Sequence, residues 1–458
     1  MNALLWFVVL YWVISVGIGL YATRYVKSSK DYAVAGRSLP MSVVTATVFA
    51  TWFGSEAVLG VSSTFLKDGL GGIVADPFGS SLCLILVGVF FAKKLYRMNL
   101  LTIGDYYKKR FGRAAEMLVT ICIVISYLGW VAAQIKALGL VFNVVSGGYI
   151  PMHWGMIIGA GSVLIYTLMG GMWAVAITDF LQMIIVVVGM LYIGYEVSGM
   201  VGGPGVVIAH AAEAGKFNFW PAAELKDVLW FFAAWITMML GSIPQQDVFQ
   251  RVMSSKNENV ARNASVLGGV IYFFFVFIPI FLAYSATLID PAMVSRLLET
   301  DSQLVLPTLI MEKMPVFAQV MFFGALLSAI KSCASATLLA PSVTFTENVL
   351  REIRPWKSDR EFLFSMRAVV LVFTVGVTTL AFGVYWQRAT RQGALMAMVL
   401  GLVSWITLEY AAPDGLWPPQ LAGLLFSIGG MVVGSLMPQV LAPVPPMVAV
   451  PAEGSAQT

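Results

Sequence analysis

Lys331 stands in the middle of an apolar run, FFGALLSAIKSCASATLL, from Phe322 to Leu339. An ammonium at the centre of a lipid-embedded helix costs roughly 2.5–3.5 kcal/mol on insertion scales. It is kept there either by a partner or a wet cavity, or by a stem long enough to carry the charge to the interface. Its chemistry would be ion pairing or proton transfer. Two further runs are polar at mid-length. FATWFGSEAVLGVSS, from Phe49, carries Gly54, Ser55 and Glu56; MMLGSIPQQDVFQRV, from Met238, carries Pro244, Gln245, Gln246 and Asp247. Glycine weakens a helix interior, and proline removes a donor and clashes with the preceding turn. Broken spans expose carbonyls that can ligate a cation and helix N-termini that can hold an anionic group. Asp179, in WAVAITDFLQM, reads either as an interfacial carboxylate or as the partner of a buried cation, whereas Lys136, near the end of its run, reads as a snorkelling lysine. Trp52, Glu56, Trp130, Gln245 and Gln246 are the candidates for holding a solute between the broken spans.

The elements that position these groups follow from composition. Of 458 residues, 59% are hydrophobic and 11% charged, against about 25% charged in soluble domains. Apolar runs of bilayer-spanning length recur, without the alternation of barrel strands. The expected helices lie at 3–22, 41–66, 73–93, 114–145, 152–170, 174–197, 227–250, 263–289, 316–349, 364–386, 393–411 and 418–437. Residues 1–440 therefore read as a single transmembrane domain and 441–458, rich in Pro, Ala and Val, as a disordered tail. The two broken spans are five apart, the spacing of an inverted repeat of five helices. Basic loops set orientation. Arg24–Arg37, Lys93–Arg113, Arg251–Arg262 and Arg351–Arg360 all follow odd-numbered spans, which puts them in the cytoplasm and the N-terminus outside. The loop Trp386–Arg391 is basic too, and one span cannot join two cytoplasmic loops.

The net charge of +4 lies in these loops and is no sign of a nucleic-acid partner. Cys83, Cys122 and Cys333 all fall in apolar runs and form no CxxC pair. No nucleotide-binding, zinc-protease or nucleophile-elbow motif occurs, so no enzyme activity, catalytic residue or cofactor is expected. A channel would need rings of like charge or repeated filter motifs, and neither is present.

The motifs DYAVAGRSLP (Asp31 to Pro40), FATWFGSE (Phe49 to Glu56), YTLMGGMWAVAITDFLQ (Tyr166 to Gln182), PQQDVFQRVMSSKN (Pro244 to Asn257) and SAIKSCASATLLAPS (Ser328 to Ser342) resemble the sodium/solute symporter family. The resemblance runs from about Lys30 to about Gly401. It implies an all-α, five-plus-five inverted-repeat fold of the amino-acid and sugar symporter type, with an extra N-terminal helix. It implies sodium ligands at the Ala50 and Phe53 carbonyls, at Ser332 and at Cys333, where the family usually has Ser or Thr, with Asp179 as a nearby acid. Lys331 falls where the family usually has an apolar residue. An ammonium ~5 Å from a sodium ion would repel it by about 3 kcal/mol at an effective dielectric near 20. Lys331 is therefore expected to occupy or border the ion site, paired with Asp179, with coupling to H+ through the lysine or absent altogether; Na+ is the coupling ion if Lys331 points elsewhere. Trp52 and Trp130 resemble aromatic positions of the choline-transporting branch, and two tryptophans suit part of a cation–π cage. That branch has further aromatics where this chain has Gln245 and near Ser80. The family also has a full span between the segment resembling Met366–Leu380 and YWQRATRQGAL, so the second repeat reads as one helix short.

The sequence thus indicates a secondary transporter, a symporter of a small polar organic solute. It is multi-pass in a plasma membrane of bacterial type, the cell inner membrane, with the solute and membrane lipid as its partners. The alternative is a transport-incompetent homologue that binds solute as a sensor.

Overall fold

Apolar runs in lipid must close their backbone hydrogen bonds within each segment, and this chain does so with helices. A computed structural model describes residues 3–27, 29–348, 390–411, 415–417 and 419–441. Among these, seven helices are long and apolar enough to cross a membrane, and two bent pairs pass the same test together. In chain order the principal helices are α1 (Ala3–Tyr21), α2 (Met41–Trp52), α3 (Val61–Gly72), α4 (Val74–Arg97), α5 (Ile103–Phe111), α6 (Arg113–Val145), α7 (Met152–Met200), α8 (Leu225–Gly241), α9 (Gln246–Met253), α10 (Glu258–Ile289), α11 (Val316–Asn348), α12 (Arg391–Ala411) and α13 (Pro419–Leu436). They match the spans read from the sequence. α7 holds the fifth and sixth spans, two helices continuous in the chain but divided by a break, the second of them a membrane span by itself over Gly170–Met200. The break falls at Gly171 (φ 49°, ψ −142°), where the backbone comes so close to Tyr32 that a Cβ would stand 2.5 Å from the Tyr32 carbonyl oxygen. The tenth span, the expected missing helix of the second repeat and the tail from 442 onward lie outside the described residues.

The breaks expected in the second and seventh spans are present, whereas the ninth, whose polar residues Lys331, Ser332, Cys333 and Ser335 also read as an interruption, is the unbroken helix α11. α2 and the turn at Glu56 leading into α3 meet at 56°, and α8 and α9 at 41°. A third interruption, unexpected, divides α4: Asp76 is extended (φ −139°, ψ 121°) ahead of Pro77. α11 packs along α6 and α7 and also touches α1, α2 and α9, so it runs through the middle of the bundle.

The basic loops gather at one end, as the orientation rule requires. Arg37 donates to the carbonyls of Tyr96 and Leu100, Leu39 bridges to Ser255, and Arg97 pairs with Glu258 at 2.6 Å. Arg391 packs against Gly112 at this same end, so the start of α12 lies with the other basic loops. At the opposite end the Lys216 ammonium donates to the carbonyls of Leu66 and Lys67, and Lys313 pairs with Asp290 at 2.7 Å.

Replacing Gly171 by Ala sets a side chain in a conformation that only glycine adopts freely, at a cost of about 1–3 kcal/mol. Thermal unfolding of the purified protein is expected to show a lower midpoint for Gly171→Ala. Gly199→Ala, with open space around it, should match the parent.

Candidate functional site at the broken helices

α2 stops at Trp52 because Phe53 leaves helical space (φ −81°, ψ 73°). The Gly54 amide then turns back to the Trp52 carbonyl at 2.9 Å, which deprives the Ala50 carbonyl of its usual helical donor. Ser332, on α11, comes to this vacancy. Its hydroxyl oxygen is 3.2 Å from the Ala50 carbonyl and 2.6 Å from Asp179 Oδ1. One proton serves both acceptors, and Asp179 Oδ2 has no partner. The result is a buried cluster of carbonyl, hydroxyl and carboxylate oxygens, the ligand set preferred by hard cations. Phe53 is buried at the break and stacks on Phe49. Cys333 closes the space beside it: a Cβ on Gly54 would lie 2.8 Å from Cys333 Cβ and 2.9 Å from its sulfur. The thiol therefore meets the helix break.

The expected Lys331–Asp179 pair is not formed. Neighbouring residues on a helix point about 100° apart, so when Ser332 faces α2, Lys331 faces elsewhere. Its ammonium donates to Ser15 of α1 at 2.9 Å and lies 5.7 Å from the Tyr166 ring centroid. The lysine does not snorkel either, being wholly buried.

On the other side of the break, Trp52 Nε1 donates to Asp247 Oδ2 at 3.1 Å. The Tyr127 hydroxyl donates to Asp247 Oδ1 and accepts from the Asp247 amide. Asp247 thus joins the two bent spans to α6. The Tyr127 ring is 5.8 Å from that of Trp130. One turn further along α6, Gln134 donates to Glu56 and accepts from Ser55 at 3.1 Å. Tyr272 donates to Asp76, which also accepts from Ser80, and the tyrosine oxygen lies 3.4 Å from the Trp52 carbonyl. The Asp76 charge reaches Glu56. Trp52, Glu56 and Trp130 are thus brought together as the sequence indicated. Gln245 stands at the α8–α9 break with a buried, unpartnered Oε1. Gln246 turns away, its Oε1 accepting from the Ile103 amide at 2.8 Å and so helping to cap α5.

Asp247, Tyr127, Gln134, Asp76 and Tyr272 were not foreseen as site residues. Asp76 had a signal: a carboxylate inside an apolar run, the same feature that marked Glu56. Asp247 had the same signal beside Pro244. The tyrosines and Gln134 had none, because only the fold shows which face of α6 or α10 meets the breaks.

Known proteins resemble this chain in sequence and in fold. Residues 32–382 match the model of the sodium:solute symporter family. The human high affinity choline transporter 1 is 28% identical over 398 residues, covering 82% of this chain and 67% of the relative. The sodium/pantothenate symporter of Escherichia coli is 24% identical over 474 residues, covering 94% of this chain and 96% of the relative. In three dimensions the chain superposes on a Na+-coupled sialic acid symporter, solved in a substrate-bound outward-open state. The TM-score is 0.82 at 16% identity, over 98% of this chain and 99% of the other.

Removing the Asp247 carboxylate strands the Trp52 and Tyr127 donors in a buried site, at about 1–3 kcal/mol for each stranded group. Asp247→Ala should therefore lower the thermal midpoint of the purified protein more than Asp247→Asn, which keeps an acceptor oxygen.

Proposed function

The chain belongs to the sodium:solute symporter family, and from that premise we propose that it is a Na+-coupled symporter of a small organic cation bearing N–H groups. The observation that carries the sodium assignment is the convergence of the Ala50 carbonyl, the Ser332 hydroxyl and the Asp179 carboxylate at the break after α2. Sodium would be held by these groups together with the Phe53 carbonyl, and Cys333 would pack beside the ion. Because Lys331 faces α1, its charge does not occupy this cluster, which favours Na+ over H+ as the coupling ion.

The substrate class rests on charge. Glu56 and Asp76 lie close enough to feel one another, and among the described residues no lysine or arginine makes an ion pair with either. Arg251, the buried cation nearby, is turned to the Asp247 backbone carbonyl at 3.2 Å. A carboxylate solute, such as the pantothenate or sialic acid of the relatives' names, would be repelled here. A cation fits, with Trp52 and Trp130 offering ring faces. Choline, named for the human relative, is the simplest candidate of this charge. However, Gln245 stands where an aromatic would complete a cage, and Glu56, Asp76 and Gln245 offer hydrogen-bond acceptors that a quaternary ammonium leaves unused. Transport would take place in the plasma membrane, the inner membrane of a bacterial cell, with residues 1–440 acting as one unit.

Uptake into proteoliposomes and thermal shift with choline, putrescine, glycine betaine and pantothenate, each in sodium or potassium medium, test the reading. Sodium-dependent stabilisation by a cation and its uptake are expected. Stabilisation by pantothenate alone would overturn the substrate class, and uptake indifferent to sodium would overturn the coupling. A hydrogen bond involving a charged group is worth about 1.5–3 kcal/mol. Ser332→Ala is therefore expected to raise the sodium half-saturation concentration about tenfold or more. Glu56→Gln should weaken the bound cation by a similar factor with little change in the sodium requirement.

A further inference from the structure

The cytoplasmic ends of α5, α6 and α12 meet in one strongly positive corner. α5 carries Lys108, Lys109 and Arg110 in its last turn, α6 opens with Arg113, and α12 opens with Arg391. Arg391 is seated on the turn between α5 and α6: a Cβ on Gly112 would stand 3.1 Å from its Nε and 3.4 Å from its Cζ. The Gly112 amide donates to the Lys108 carbonyl at 2.9 Å, so Arg391 touches the same turn that carries the lysines. Against these cations stands the buried carboxylate of Glu116, which takes Arg113 at 2.6 Å and Lys108 at 3.4 Å. Asp105, one turn before Lys109, accepts from the amides of Leu101 and Thr102 at the start of α5. Among the described residues no carboxylate comes within ion-pair distance of Lys109 or Arg391, and Arg391 Nε has no acceptor. The sequence leading into α12, WQRATR from Trp386, adds Arg388 and no acid.

Basic loops as such follow from orientation. This corner differs in that cations from three helices are pressed together with too little acid to balance them, and like charges on the two sides of the junction repel. α12 and α13 pack mainly on each other, and among the described residues they meet the bundle chiefly at α5, α6 and α8, so the repulsion falls at one of the few places where the pair is held. Deeper in the membrane the flanks of the corner turn apolar. Ile121 on α6 and Val399, Leu400 and Val403 on α12 are exposed, about 12–18 Å along their helices from Arg113 and Arg391. We propose that this corner binds one anionic phospholipid of the cytoplasmic leaflet. Its phosphate is held between Arg391 and Lys109, with Lys108 beside it, and its acyl chains lie against Ile121 and the exposed face of α12. Basic sites between helices on this side of a membrane take such headgroups. The phosphate supplies the missing counter-charge across the junction and ties α12 and α13 to α5 and α6. A free phosphate has the charge without the chains, and leaves the apolar flanks unoccupied.

The test is thermal unfolding of the purified full chain in a neutral detergent, with phosphatidylglycerol, phosphatidylcholine or inorganic phosphate added at matched ionic strength. Phosphatidylglycerol is expected to raise the midpoint saturably by about 2 °C or more, and the other two to give no comparable shift. Lys109→Gln combined with Arg391→Gln should lose most of that shift. Lys93→Gln combined with Lys94→Gln, at the end of α4, should keep it. A photoactivatable phosphatidylglycerol should crosslink the parent at residues 114–121 and 395–403, which tests the site even where the double variant does not fold. No shift with phosphatidylglycerol, an equal shift with phosphatidylcholine or inorganic phosphate, a full shift in the Lys109→Gln, Arg391→Gln variant, or crosslinks only elsewhere would each overturn the proposal.

Discussion

The structure depends on a carbonyl that its own helix leaves unsatisfied. Once the Gly54 amide turns back to Trp52, the Ala50 oxygen has no partner within its segment, and lipid can supply none. A neighbouring helix must bring a polar group to the spot, and α11 does so with Ser332. That hydroxyl is in turn anchored by Asp179 of α7. Three helices are fixed to one another by a single interrupted hydrogen-bond ladder, and the same interruption creates the oxygen cluster assigned to sodium. The solute side follows from the same break, because the turn after Trp52 aims its indole at Asp247 and sets Glu56 beside Gln134.

Asp247 does for the seventh span what Ser332 does for the ninth. Its carboxylate receives Trp52 from one broken span and Tyr127 from α6, while its own chain continues into α9. The two bent spans are therefore connected through a charge rather than through apolar contact alone. Tyr272 and Asp76 extend the connection to α10 and α4.

Much of this was legible in the residues. Apolar run lengths placed the spans, and glycine or proline within a run placed the two breaks, because both features act locally on the backbone. The grouping of the basic loops at one end followed from charge alone and holds for Arg37, Arg97 and Arg391. Direction around a helix was harder. Lys331 and Ser332 are adjacent in sequence, and only packing decides which of them faces the break; the expected Lys331–Asp179 pair failed on this 100° question. Gln246 failed in the same way, since its neighbour Gln245 stands at the break while Gln246 reaches back to Ile103. The division between the fifth and sixth spans was legible as well, because the glycine pair at 170 and 171 breaks the helix locally at Gly171.

The contact between Gly54 and Cys333 leaves no clearance for a methyl group. A side chain at position 54 would therefore push α2 and α11 apart. Gln245, Glu56 and Trp130 are under no such restriction, each being only partly buried. Positions on that side can thus vary while the seam between α2 and α11 stays fixed.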